Sequence, residues 1–147
     1  MKVTSETYDK MLKEQSPPSP LLRDMLWAFV IGGGICMLGQ WILNRYLALG
    51  LSEKDAGAAT SITLICIGAL LTGFHLYDKV AKFAGAGTLV PITGFANAIV
   101  SSALEFKSEG YILGTASKMF TIAGPVLVFG ITASVVYGLV LFFVGIF

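Results

Sequence analysis

Four long apolar stretches alternate with short charged segments along the chain. No Lys, Arg, Asp or Glu occurs in residues 25–44, 56–77, 83–104 or 119–147. Their lengths of 20, 22, 22 and 29 residues match the roughly 20 helical residues that cross a hydrocarbon core about 30 Å thick. The pattern predicts an all-α polytopic integral membrane protein.

Three of these stretches predict complete transmembrane helices, at about residues 22–46, 56–77 and 119–147. The first contains the run Gly32-Gly33-Gly34, and the second contains Gly57, Gly68 and Gly73. Small residues let neighbouring helix backbones approach closely in a membrane. We therefore expect tight helix packing at these glycines.

The third stretch, residues 83–104, has a different character. It combines helix-breaking residues, most of them in its first half, with uncharged polar ones: Gly85, Gly87, Pro91 and Gly94, and Thr93, Asn97, Ser101 and Ser102. Irregular backbone at membrane depth is tolerated only where it is buried in protein or lines a water-filled cavity. The sequence predicts a broken or re-entrant helical segment here.

The distribution of Lys and Arg favours re-entry over a fourth complete span. Residues 1–21 form a polar tail with a proline-rich elbow at 16–20, and residues 22–147 form the membrane domain. With re-entry, eight of the ten Lys and Arg residues lie on the side of the tail, whereas four full spans would leave six there. Because Lys and Arg accumulate on the cytoplasmic side, we expect a cytosolic N-terminus.

Composition and charge exclude further classes of function. The chain is 55% hydrophobic and 13% charged, with a formal net charge of +1. Such a charge gives no field that would recruit nucleic acid, so we expect no nucleic-acid partner. Cys36 and Cys66 each lie within an apolar stretch and are interpreted as small core residues rather than a disulfide or a metal pair.

Candidate catalytic chemistry is sparse. His75 and Asp78 are three residues apart near a helix end, a spacing that could orient an imidazole, or they are simply interfacial polar residues with a gating role at most. No nucleophile elbow, zinc-binding helix motif or phosphate-binding glycine loop is present. We predict that the protein is not an enzyme and needs neither a metal nor another cofactor.

Uncharged polar groups at membrane depth are the remaining candidates for a site. Gln40, Thr93, Asn97, Ser101 and Ser102 must face one another or water, since an unpaired polar group in lipid is costly. They form either helix-to-helix contacts or a pore wall, and composition does not choose between these. A half-helix starting at Pro91 would also direct free amides and a positive dipole end towards an anionic solute near Thr93 and Gly94.

Three segments resemble a known family. The block FAGAGTLVPITGFANAIVSSALEFKSEG at residues 83–110, preceded by GALLTGFHLYDKVAK at 68–82 and AFVIGGGICMLGQ at 28–40, resembles the SpoVA membrane proteins of spore-forming Firmicutes, of the SpoVAC/SpoVAE type. The proline-bearing tail and the FANAIVSSALEFKSEG sequence favour the AC type. The resemblance covers nearly the whole chain, and its specific part is the block with Pro91, Gly94 and Asn97.

The resemblance implies a location and a solute. Such a protein lies in the inner membrane of the forespore and spore and helps to move dipicolinic acid, as its calcium chelate, during sporulation and germination. It implies a channel, with tension as one gating stimulus, working in a homo- or hetero-oligomer with other SpoVA proteins and membrane lipid. The alternative is a non-conducting structural subunit that assembles the complex. The resemblance carries over no catalytic residue.

Overall fold

The computed structural model of the protein describes Tyr8, Met11, Leu12 and residues 20–145. Most of the polar tail and of the proline-rich elbow falls outside these described residues. Within them the chain is helical, with no strand. Residues 20–145 contain five α-helices: α1 (Leu21–Ala48), α2 (Glu53–Gly73), α3 (Tyr77–Ala84), α4 (Pro91–Glu105) and α5 (Ser117–Val144).

Three helices in the described part of the chain are long and apolar enough to cross a membrane. They are α1, α2 and the continuous helical stretch Tyr111–Val144, in which a π-helical turn at Tyr111–Ala116 leads into α5. The segment between α2 and this stretch consists of the shorter helices α3 and α4 and two 3₁₀ turns, Gly85–Thr88 and Phe106–Glu109. The all-α membrane fold with three long helices and a broken segment is therefore confirmed.

The second span ends earlier than its uncharged stretch indicates. α2 stops at Gly73, and Tyr77 already begins α3. His75 takes a left-handed conformation with φ of 55°, the Leu76 amide donates to the carbonyl of Leu71 (2.9 Å), and the His75 amide donates to that of Thr72 (3.0 Å). These two bonds form a Schellman motif, which closes a helix and usually has Gly at the left-handed position.

α1 and α2 form an antiparallel pair. The hydroxyl of Tyr46, near the C-terminal end of α1, lies 2.9 Å from that of Thr63, midway along α2. The connection between them is short, and its last residue, Ser52, is the N-cap of α2. The Ser52 side chain accepts a hydrogen bond from the Asp55 amide (3.2 Å). At mid-helix, a Cβ placed on Gly39 would lie 3.4 Å from the Leu64 side chain.

Two expectations about small residues in these spans are corrected. Of the three consecutive glycines in α1, only Gly32 meets a neighbour; a Cβ on Gly33 or Gly34 would find nothing within 4 Å. Cys36 and Cys66 are free thiols on exposed faces and are not core residues. Both errors have one cause: a helix buries only the face directed at its partner, and composition alone does not say which face that is.

α5 stands largely apart from the other helices. It contacts α4 and the π-helical turn through its first turns, where Met119, Phe120 and Ala123 face Ile99 of α4 across a small apolar pocket. Beyond Pro125, which the helix accommodates, nearly every large apolar side chain is exposed. An apolar helix without protein neighbours is suited to a lipid environment.

Candidate functional site

The break in the third uncharged stretch is built from Gly85 and Pro91. Gly85 ends α3 with φ of 49°, a left-handed conformation that glycine adopts without strain. After the 3₁₀ turn Gly85–Thr88, Val90 has ψ of 127° and Pro91 begins α4. Proline favours an extended residue before it and fits the first position of a helix, so these residues account for both sides of the break.

The tip of the break, residues 85–90, is seated on α1 by direct backbone contact. A Cβ on Gly87 would lie 2.8 Å from Cα of Ala28 and closer still to its carbonyl oxygen. From the other side, a Cβ on Gly32 would lie 3.2 Å from the Gly87 carbonyl oxygen. Only glycine at position 87 permits this approach, because any side chain would push the tip off α1.

A buried hydrogen bond holds the same tip from within. The Tyr77 hydroxyl donates to the carbonyl oxygen of Thr88 (2.7 Å), and the Thr88 hydroxyl donates to that of Gly85 (3.0 Å). Tyr77 and Thr88 are each about 5% exposed. The carbonyl of Thr88, which a break in the helix would otherwise leave unpaired, is thereby satisfied.

α4 packs along α2 through a seam of small and polar residues. Gly68 admits the backbone of α4, since a Cβ there would lie 3.3 Å from the Thr93 carbonyl oxygen. One turn further on, the buried Thr72 hydroxyl lies within donating distance of the Gly68 carbonyl oxygen (2.7 Å) and the Asn97 side-chain oxygen (2.8 Å). Asn97 therefore contacts a neighbouring helix in this conformation.

The direction of this seam shows that the broken segment turns back. Thr93 lies beside Gly68, Asn97 lies beside Thr72, and Glu105 at the end of α4 shares a cleft with His75, just beyond α2. α4 thus runs parallel to α2 and finishes at the same end of the molecule. This geometry agrees with the re-entrant arrangement that the charge distribution favours.

The cleft at this end collects polar residues from both sides of the seam. It has a volume of about 390 Å³ and is lined by Thr72, Gly73, His75, Asp78, Ser101, Leu104 and Glu105. His75 and Asp78 therefore do lie near Ser101, as members of one exposed cleft. Across the described residues, no three His, Cys, Asp or Glu side chains come together as metal ligands would.

An apolar cavity lies behind the tip of the break. Its volume is about 110 Å³, and α1, α2, α3 and the broken segment all contribute to its lining, which is mostly Ile, Leu and Val. Thr93 also lines it, and its buried hydroxyl has no hydrogen-bond partner. Its lining offers water few hydrogen-bond partners, so the cavity is not a polar passage in this conformation.

The remaining predicted residues are dispersed. A Cβ on Gly94 would lie 2.8 Å from the Thr88 carbonyl oxygen, which places Gly94 in the fold of the break. Ser102 is half-buried on α4, and the Ser101 hydroxyl donates to the Ala98 carbonyl (3.2 Å). Gln40 is exposed, and its amide donates to Asn44 (2.9 Å). Within one chain, Gln40 is not brought together with the polar residues of α4.

Sequence reasoning missed three contributors: Ala28, Tyr77 and Glu105. The tip packs against the backbone of Ala28, the Tyr77 hydroxyl donates a hydrogen bond to a carbonyl of the tip, and Glu105 lines the cleft. Tyr77 is the last residue of the predicted second span, and the sequence pattern gave no signal of its bond to the broken segment.

Comparison with known proteins adds a family to this geometry. Residues 24–140 match the family described as SpoVAC/SpoVAEB sporulation membrane protein. The chain belongs to this family. It is 48% identical over 138 residues to stage V sporulation protein AC of Bacillus subtilis (strain 168), covering 93% of this chain and 92% of that protein. The resemblance to the SpoVAC type is confirmed, and comparison with solved structures gave no match.

Membership of the SpoVAC/SpoVAEB family makes this a sporulation membrane protein with a role in the SpoVA system. The matched residues include the tip of the break, the α2–α4 seam and the polar cleft. The family description names no reaction, so the chemistry of the site must be argued from its geometry.

Proposed function

We propose that this SpoVAC-family chain is a channel or transport subunit that moves dipicolinic acid, as its calcium chelate, across the spore inner membrane during sporulation and germination. Its N-terminus is cytosolic, and the tip of the break is the element that opens. The observation that supports the proposal best is the broken segment itself. It is a turn built from glycine and proline and held between transmembrane helices, and a buried, unpartnered Thr93 hydroxyl lines the apolar cavity behind it.

The charge of the site suits this solute. A one-to-one complex of Ca²⁺ with a dicarboxylate carries no net charge, so its passage needs no ring of basic residues. Polar, uncharged groups line the seam at Thr72, Thr93 and Asn97, and the carboxylates Asp78 and Glu105 lie in the cleft at its end. These carboxylates would repel a free dianion but not a neutral chelate.

The mechanism of opening follows from what holds the tip in place. The tip touches α1 through glycine backbone and is tied to α3 by the bond from Tyr77 to Thr88. Moving α1 away from α2 would unseat the tip and join the cavity beside Thr93 to the cleft at the end of α4. Because membrane tension favours conformations with a larger area, tension is the first stimulus to apply.

The test is reconstitution of the purified chain in liposomes loaded with calcium dipicolinate. We expect efflux that increases on osmotic downshift. Thr93→Val, which removes the unpartnered hydroxyl and keeps the shape, should reduce efflux. Thr60→Val is the matched control, since Thr60 is also buried but bonds to the Ala56 carbonyl (2.7 Å). Equal efflux from both variants would contradict a path at the break.

The second candidate function is a non-conducting subunit that assembles the SpoVA complex. One observation favours it: the cavity behind the tip has an apolar lining and gives the described part of the chain no polar passage. The same liposomes separate the two functions. Efflux from this chain alone establishes conduction, whereas efflux that appears only when other SpoVA proteins are added assigns the pore to a partner.

We also propose that the protein is not an enzyme. The only imidazole next to a carboxylate in the described cleft is His75 with Asp78, and His75 has a structural role in ending α2. Replacing both residues should leave transport and germination intact. Loss of germination with normal protein levels and normal efflux would reopen a catalytic role.

A further inference from the structure

One face of α1 points away from the rest of the molecule and carries polar groups. Met37 and Gln40 are three residues apart and Gln40 and Asn44 four, so their side chains lie on one face of the helix. Gln40 and Asn44 are exposed, and Met37 beside them is 75% exposed. We call the face formed by Met37, Gln40 and Asn44 the outer face of α1.

The amides on this face keep hydrogen-bonding capacity that their own chain does not use. The Gln40 amide nitrogen donates to the Asn44 side-chain oxygen (2.9 Å). That bond leaves an acceptor and a second N–H on Gln40 and both N–H groups on Asn44. Gln40 precedes Arg45 by five residues, about 7.5 Å along the helix, and so lies inside the uncharged stretch, where lipid offers its amide no partner. Asn44 ends that stretch, directly before Arg45.

The arrangement is complementary to itself. The Gln40 oxygen is an unused acceptor, and one turn along, the Asn44 nitrogen is an unused donor. In a second copy of the chain, inserted in the same orientation, the same two groups lie at the same depths. Two outer faces brought together around an axis along the membrane normal would exchange bonds from Asn44 of one copy to Gln40 of the other, in both directions.

The other exposed helix offers no comparable complementarity. In α5, Gly130, Ser134 and Gly138 also form a row of small residues, but the Ser134 hydroxyl already donates to the Gly130 carbonyl (2.8 Å). Lipid can cover this row of residues without leaving the Ser134 hydroxyl unpaired. The outer face of α1 therefore has a requirement for a polar partner that the row on α5 lacks.

We infer that the outer face of α1 is the surface through which two copies of this chain associate, with Gln40 and Asn44 pairing across the contact. The surface lies on the opposite side of α1 from α2. Association would therefore leave the seam between α2 and α4 uncovered. The inference does not depend on which solute is transported, or on whether any is.

The test measures association of the full-length chain in vesicles by energy transfer between labelled copies, over a series of protein-to-lipid ratios. We expect the parent chain to associate. Replacing both amides, Gln40→Leu with Asn44→Leu, should weaken association by about 3- to 30-fold, the range given by interhelical polar contacts in membranes. Persistence of the parent affinity in this variant would overturn the inference.

Cross-linking locates the contact directly. With Cys36 and Cys66 replaced by alanine, Met37→Cys should form an intermolecular disulfide in the membrane, and Val128→Cys on α5 should not. A chain that stays monomeric at every ratio, associates only with another SpoVA protein, or cross-links through α5 instead would show that a second copy does not bind here.

Discussion

Replacing Gly87 with alanine tests how the tip of the break is held. The added Cβ would lie 2.8 Å from Cα of Ala28 and 3.0 Å from its carbonyl carbon. Carbon atoms in normal contact are about 3.5–4.0 Å apart. The tip and α1 must therefore separate by at least about 0.7 Å, and because both contact surfaces are backbone, no side chain can rotate away to absorb the strain.

Overpacking of this kind costs about 1–3 kcal/mol, which shifts the equilibrium between a seated and an unseated tip by about 5- to 150-fold. We expect Gly87→Ala to lower the thermal midpoint of the detergent-purified protein and, under the proposed function, to raise dipicolinate efflux from liposomes without osmotic downshift. Gly32→Ala should have a smaller effect, because its nearest contact is 3.2 Å, and Gly34→Ala should have none.

We expect the loss of thermal stability to decrease in the order Gly87→Ala, Gly32→Ala, Gly34→Ala. If Gly34→Ala destabilised the protein as much as Gly87→Ala, the seating of the tip on α1 would be refuted. If Gly87→Ala lowered the thermal midpoint but left efflux at the parent level, the seating would stand and the role of the tip in opening would be refuted.

Three further substitutions probe the tip, the end of α2 and the seam. Tyr77→Phe should destabilise the protein by about 1–3 kcal/mol, because it leaves the buried Thr88 carbonyl unpaired; a thermal midpoint no lower than that of Tyr137→Phe would contradict this. His75→Gly should raise the thermal midpoint and preserve efflux, since the left-handed position costs a non-glycine residue about 1–2 kcal/mol; lost efflux would show that the imidazole itself acts. Asn97→Leu should loosen the contact between α4 and α2 and expose a cysteine placed at Ala96 to thiol reagents, and unchanged protection there would argue against the seam.

Sequence alone was sufficient for the long helices and for the break. A long uncharged stretch that crosses lipid forms a helix, because a helix makes all its backbone hydrogen bonds internally. Gly85 and Pro91 likewise end and start helices through their own backbone geometry. These features depend on neighbouring residues in the sequence, so they can be predicted without knowing which helices contact one another.

The orientation of each helix could not be read in this way. Gly32, Gly33 and Gly34 are equivalent in composition, yet only Gly32 meets Gly87. Gln40 was grouped with the polar residues of α4, but it lies on the outer face of α1. α2 ended four residues early because His75 adopts a left-handed conformation within an uncharged stretch. Each of these differences depends on tertiary contacts or on a backbone angle that hydropathy does not encode.

The most direct test of the central claim is the side of the membrane on which the end of α4 emerges. In a chain with Cys36 and Cys66 replaced by alanine, single cysteines at Ser108, Lys79 and Lys54 would be labelled in sealed vesicles with a membrane-impermeant thiol reagent. Ser108 follows α4, Lys79 lies on α3 after the end of α2, and Lys54 lies at the opposite end of α2. The account predicts that the Ser108 position labels from the same side as Lys79. Labelling of the Ser108 position from the side of Lys54 would contradict re-entry and the site built on it.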